Sequence, residues 1–189
     1  MAILLPAGAI RPPRHRGRLA RLAVALIPAL VAALGALSLA GPAFAKTPPA
    51  TGRKAPHFAL PTAHGTVDSD SLRGRIVYVD FWASWCDPCR RSFPWMADLH
   101  QRLGRHGLTI VAINLDKDRK AAEKFLAEHP APFTVAFDPE GKTAEAFQVP
   151  AMPTSFVLGR SGEILHAQAG FDPARTAALD ALLKEACSR

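Results

Sequence analysis

Residues 76–82 read Ile-Val-Tyr-Val-Asp-Phe-Trp, an almost unbroken apolar run with one charge, Asp80. A β-prone run of this length with no polar alternation predicts a strand buried on both faces. Residues 108–115 predict a second strand of the same kind. Between them the period changes. Phe93, Met96, Leu99 and Leu103 recur every three or four positions, which predicts a helix over 87–105. Ala122, Phe125 and Leu126 share one face of a predicted helix over 118–128. A short strand over 133–137 and a short helix over 142–147 follow, separated by the turn Asp138-Pro139-Glu140-Gly141. Residues 154–158 and 163–169 flank Gly159-Arg160-Ser161-Gly162 and predict a hairpin. Asp172 as N-cap and Pro173 at the first helical position open a predicted last helix over 173–186. Strands alternating with helices predict an α/β fold, a central mixed sheet covered on both faces. Chemistry is expected where the first strand hands over to its helix, at Trp85-Cys86.

The N-terminus follows a different pattern. Arg11, Arg14, Arg16, Arg18 and Arg21 form a basic stretch, and residues 22–40 are apolar and uncharged. Gly41-Pro42 then breaks any helix, and Ala43-Phe44-Ala45 offers small residues at a peptidase site. This order predicts a signal peptide over 1–45, a linker over 46–54 and one domain over 55–189. The alternative is an uncleaved anchor, since nineteen apolar residues at ~1.5 Å each can just cross a ~30 Å hydrocarbon layer. Either way the expected location is the periplasm or another extracytoplasmic space, anchored to the inner membrane in the second case. No cysteine follows the apolar run, which excludes a lipoprotein anchor. The net charge of +7 belongs mostly to those five arginines: all 16 acidic residues lie at or beyond Asp68. The domain is nearly neutral, so no nucleic-acid partner is expected.

Three cysteines are too few for a disulfide scaffold. Two stand as Cys86-Asp87-Pro88-Cys89, and Cys187 lies almost at the chain end, where a frayed free thiol is expected. A bridge closing so small a loop removes little chain entropy, so in an oxidising compartment it is redox-active rather than structural. Dithiol exchange needs one accessible thiol that ionises and a second one close enough to resolve the mixed disulfide. Cys86 at a helix N-terminus meets the first need and Cys89, one turn in, meets the second. Pro88 fits the first turn. A zinc site would need a second ligand pair, and the histidines are scattered; no metal is expected. Asp80, a carboxyl in an apolar strand beside the dithiol, is a candidate base for Cys89, with a hydrogen-bonded core carboxylate as the bland alternative. Asp87 shades the potential of the pair without setting its direction.

The run from Val79 to Arg90, with its Trp-Cys-Asp-Pro-Cys, resembles the thioredoxin-superfamily active site and is most similar to the exported TlpA/ResA-like thiol–disulfide oxidoreductases. Pro94 matches the proline inside the active-site helix. Ala151-Met152-Pro153-Thr154-Ser155-Phe156 resembles the cis-proline segment, and Ala55-Pro56-His57-Phe58 the family's opening motif. The resemblance implies a thioredoxin-like fold with a helix–strand insertion over 116–149. It implies that Cys86 attacks and Cys89 resolves, and that Trp85, Pro88, Met152 and Pro153 bind the substrate. It also implies a monomeric protein-disulfide reductase without a cofactor. Its substrates would be apocytochrome c or copper-site proteins, with electrons from a membrane thiol carrier. A copper-binding assembly chaperone is the alternative, although the cysteine spacing is one residue short and no histidine is implicated. A thiol peroxidase is a further one, but Val79 and Ala83 stand where that pattern has Pro and Thr or Ser.

Overall fold

The computed structural model describes residues 51–189; the expected signal or anchor segment lies outside the described residues. Seven strands form one mixed sheet in the order β2-β1-β5-β4-β3-β6-β7. In chain order these are β1 (Ala59–Thr62), β2 (Gly65–Asp68), β3 (Ile76–Trp82), β4 (Leu108–Asn114), β5 (Thr134–Phe137), β6 (Thr154–Leu158) and β7 (Ile164–Ala169). The helices are α1 (Asp87–Leu103), α2 (Arg119–Glu128), α3 (Lys142–Ala146) and α4 (Thr176–Ser188). β3, β4 and β5 run parallel, while β6, β7 and the β1–β2 hairpin are antiparallel. β3 sits between β4 and β6 and is buried at all seven positions, as its missing alternation predicts.

The pleat of β3 divides the core in two. Ile76, Tyr78 and Trp82 face a cluster built from α1 (Phe93, Met96, Leu99), α2 (Ala122, Phe125) and α4 (Leu179, Leu183). Val77, Val79 and Phe81 face the other cluster, with Phe58, Phe147 and Phe156. Each large apolar side chain buried in these layers is worth roughly 1.5–3 kcal/mol. α1 is further tied to α4 by polar contacts: Trp95 Nε1 donates to Asp180 Oδ1 at 3.2 Å, and Arg102 meets Asp180 at 2.8 Å.

Several boundaries differ from the sequence expectation. The β1–β2 hairpin was not foreseen. α1 ends at Leu103, and a 3₁₀ turn, Gly104–His106, leads to Gly107 at φ 94°. The last helix begins as a 3₁₀ turn, Pro173–Arg175, capped by Asp172, before α4 proper. Residues 52–54, expected as linker, hydrogen-bond along β7: Gly52 N–H donates to the Ile164 carbonyl and Ile164 N–H to that of Arg53, both at 2.8 Å. Cys187 is not frayed. It lies inside α4, half-buried against the α1–α4 core, and burial pushes its thiol pKa up. Among the described residues no helix is long and apolar enough to cross a membrane.

Candidate active site

β3 ends at Trp82, and four residues later Cys86 is the N-cap of α1, with Pro88 in the first turn. Cys86 and Cys89 are joined by a disulfide. Helical spacing brings them together, because residues three apart share a face. Cys89 N–H points at Cys86 Sγ, 3.3 Å away, and Cys86 N–H bonds the Ala83 carbonyl at 3.1 Å. When the bridge is reduced, that N–H and the helix dipole favour a Cys86 thiolate. The two sulfurs are not equivalent. Cys86 keeps 4% of its surface exposed and Cys89 none, so of the two Cys86 is the one that reaches the surface.

Trp85, the residue before Cys86, is 68% exposed. It is not part of the core and stands at the mouth of the dithiol. Asp87 is well exposed and faces Arg90 at 3.8 Å, so its charge reaches Cys86 only through solvent and partly matched. Ser92 Oγ closes the first turns by donating to the Cys89 carbonyl at 3.0 Å.

The second wall comes from the segment before β6. β6 starts at Thr154 opposite Phe81, which places Met152 and Pro153 at the sheet end where β3 hands over to α1. The Met152–Pro153 bond is cis. Met152 is half-buried and packs on the cluster that holds both cysteines, and Pro153 is buried. Thr154 Oγ1 donates to the Ala151 carbonyl at 2.6 Å, and Gly170 N–H bonds the Pro153 carbonyl at 2.7 Å.

Asp80 lies one strand period from Trp82, on the face that packs against the cysteine-bearing helix. It is 1% exposed, and its Oδ2 has no hydrogen-bond partner. Its cross-strand neighbours are Ala112 on β4 and Ser155 on β6, neither of them a cation. Burial alone raises its pKa well above the carboxylate range. Tyr78, two residues earlier, is pushed up first by burial and then by the Asp80 charge, against a hydrogen bond from Ser155.

Sequence reasoning missed a second buried carboxylate. Asp116, just past β4, is 6% exposed. Its Oδ2 accepts from Ser84 N–H at 2.9 Å and from Asn114 Nδ2 at 2.7 Å, and its Oδ1 from Ser84 Oγ at 3.0 Å. These bonds pin the loop that carries Trp85 and Cys86. The only signal in the sequence was an Asn-x-Asp at the end of an apolar strand.

A three-residue-spaced cysteine bridge at a strand-to-helix junction, near a proline-bearing loop, defines the class: a thioredoxin-fold thiol–disulfide oxidoreductase. The AhpC/TSA family matches residues 51–167, more than half of the chain. The thiol-disulfide oxidoreductase ResA of Bacillus subtilis is 30% identical over 120 residues, 63% of this chain and 67% of that one. The ResA of Geobacillus kaustophilus is 31% identical over 141 residues, 74% of this chain and 81% of that one. A crystal structure from Chlorobium tepidum, assigned as a thiol:disulfide interchange protein DsbE, superposes with a TM-score of 0.72. It is 48% identical and covers 73% of this chain and 98% of its own. The chain belongs to the ResA-like thiol–disulfide oxidoreductases of the AhpC/TSA family.

Proposed function

We propose that this protein is an exported protein-disulfide reductase. The observation that carries the dithiol chemistry is the unequal burial of two bonded cysteines at a helix N-terminus; the reductive direction rests on the resemblance to the ResA-like oxidoreductases. In the reduced enzyme the Cys86 thiolate attacks one sulfur of a substrate disulfide. The substrate bond breaks, a mixed disulfide forms on Cys86, and the first substrate thiolate leaves. Cys89, its proton taken by Asp80, then attacks Cys86 Sγ. The second substrate thiolate leaves, and the enzyme holds the Cys86–Cys89 bridge. Two electrons have passed to the substrate, and a dithiol donor must return them. Trp85, Pro88, Met152 and Pro153 form the docking rim, where an extended substrate segment pairs with the backbone before β6.

The N-terminal basic–apolar pattern supports an extracytoplasmic site of action, the periplasm, with residues 1–45 removed or retained as an inner-membrane anchor. Apocytochrome c or copper-site proteins are the proposed substrates and a membrane thiol carrier the proposed donor. The test is the reduction potential of the Cys86–Cys89 pair together with insulin-reduction turnover. A reductase is expected near the thioredoxin value of about −270 mV; a value near about −120 mV would make the protein an oxidant instead.

A further inference from the structure

At the end of the sheet opposite the dithiol, the register leaves a gap. β5 begins at Thr134 opposite Val111, so Leu108, Thr109 and Ile110 of β4 pair with β3 on one side and with no strand on the other. A cleft of about 1140 Å³ occupies this place, bounded by the end of α1, the β1–β2 turn and the segment leading into β5. Its lining is mixed: Leu108, Ile110 and Phe133 lie buried beneath it, and the apolar surface it offers comes from Leu126, Pro130, Ala131 and Pro132. Its polar lining is of one sign: Arg75, Arg102 and Arg105, with His64, His100 and His106, and no aspartate or glutamate.

Arg102 is engaged by Asp98 and Asp180. Arg75 and Arg105 are not: among the described residues neither forms an ion pair, and Arg75 has only a 3.4 Å contact to Thr109 Oγ1. His100 stands edge-on to Phe133, and its Nδ1 is buried without a hydrogen-bond partner. Exposed arginines normally find a carboxylate or stay in bulk water. Here two exposed arginines line a concave surface that holds no counter-charge. Guanidinium forks match planar or tetrahedral oxyanions. Concave sites that combine some apolar surface with a few convergent polar groups take organic ligands.

We propose that this cleft binds an organic anion with an apolar body, its carboxylate, sulfonate or phosphate held by Arg75 and Arg105 and its body laid on the part-exposed Leu126, Pro130 and Pro132. The site lies roughly 20 Å from the dithiol, the length of the seven-residue strand β3. It neither uses the dithiol nor depends on the reductase reading.

The test uses the domain from residue 46 onward, since the Chlorobium tepidum chain, almost all of it matched by 73% of this one, folds at that extent. The probe is anilinonaphthalene sulfonate, titrated by fluorescence and by backbone amide shifts. Saturable one-site binding is expected, with shifts confined to the cleft amides of Arg75, Gln101, Arg105, Thr109 and Thr134. The double variant Arg75→Gln/Arg105→Gln is expected to bind at least about tenfold more weakly, because charge-assisted bonds are lost. Its melting curve and dithiol chemistry should not change. Phosphatidylglycerol-containing vesicles, added as competitor, displace the probe if the natural anion is a lipid and leave it bound if it is a soluble molecule. The proposal is overturned by the absence of saturable binding, by shifts clustered at the dithiol end, or by full affinity in the double variant. Inorganic phosphate binding as tightly as the probe would remove the apolar body from it.

Discussion

Asp116 holds Ser84 through both carboxylate oxygens, one on its N–H at 2.9 Å and one on its hydroxyl at 3.0 Å. The two residues come from different strand ends, 32 positions apart. The contact therefore fixes the β3–α1 loop against β4, and with it Trp85 and the start of α1. Arg90 adds a bond from Nη2 to the Ser84 carbonyl at 3.3 Å.

Asp116→Ala should leave Ser84 N–H and Asn114 Nδ2 without their acceptor in a buried site. A loss on the order of 3 kcal/mol in stability is expected. Asp116→Asn keeps one acceptor oxygen and should lose less. In both variants the loop that presents Trp85 loosens, so KM for a protein disulfide should rise more than kcat falls. Thermal melts and insulin-reduction kinetics measured together check this. A melting point equal to the parent's in Asp116→Ala would remove the contact from any account of the site.

The unequal burial of the two sulfurs makes the cysteine variants diagnostic. Cys86→Ser removes the one cysteine of the pair that keeps exposed surface and should abolish exchange. Cys89→Ser leaves Cys86 able to attack but unable to resolve, so mixed disulfides should accumulate with substrate. Non-reducing gels or intact mass after incubation with insulin read this directly. Adducts on Cys89 in the Cys86→Ser protein would reverse the assignment.

The fold's central elements were legible because local pattern and tertiary role coincide there. β3 has no alternation and is buried throughout; α1 shows a clear apolar stripe that faces the sheet. The β1–β2 hairpin was not legible. Each strand has four residues, Pro61 interrupts the first, and only Leu60 and Val67 are buried. The dithiol could be read as a motif, whereas the Ser84–Asp116 pairing is long-range and leaves no local trace. Cys187 was misjudged because nearness to the chain end suggests fraying, while Leu179 and Leu183 anchor α4 and carry the helix to Ser188. The basic cleft arises from the register between β4 and β5, which no single segment encodes.

Trp85 is large and mostly exposed, so its removal should cost the fold little. Trp85→Ala is expected to melt within a degree or so of the parent, since surface changes usually stay within about 0.5 kcal/mol. Its kcat/KM for insulin should fall by about tenfold, because an aromatic anchor at an interface commonly contributes more than 1 kcal/mol. Reduction of a small aromatic disulfide, which needs no docking surface, should change little. Equal losses on both substrates would mean that Trp85 acts on the dithiol itself.

Asp80 joins stability and catalysis with opposite signs. Its folded-state pKa is raised by burial, and no cation on β4 or β6 opposes this. Between the unfolded and the folded pKa the native state binds more protons, so stability falls as pH rises from the ordinary carboxylate range toward the folded value. Above the folded pKa that contribution is fully lost. Asp80→Asn removes the ionisation, so the variant should gain steadily on the parent as pH rises. The same substitution removes the proposed base. Resolution of the mixed disulfide by Cys89 should slow at pH 7 by about a hundredfold, the lower range for general-base assistance. The gap should close at alkaline pH, where Cys89 ionises unaided. Stopped-flow measurement of resolution from pH 6 to 9, beside urea unfolding over the same range, separates the two effects. A stability gain with unchanged resolution rates would leave Asp80 as a buried structural carboxyl and assign proton removal from Cys89 to solvent.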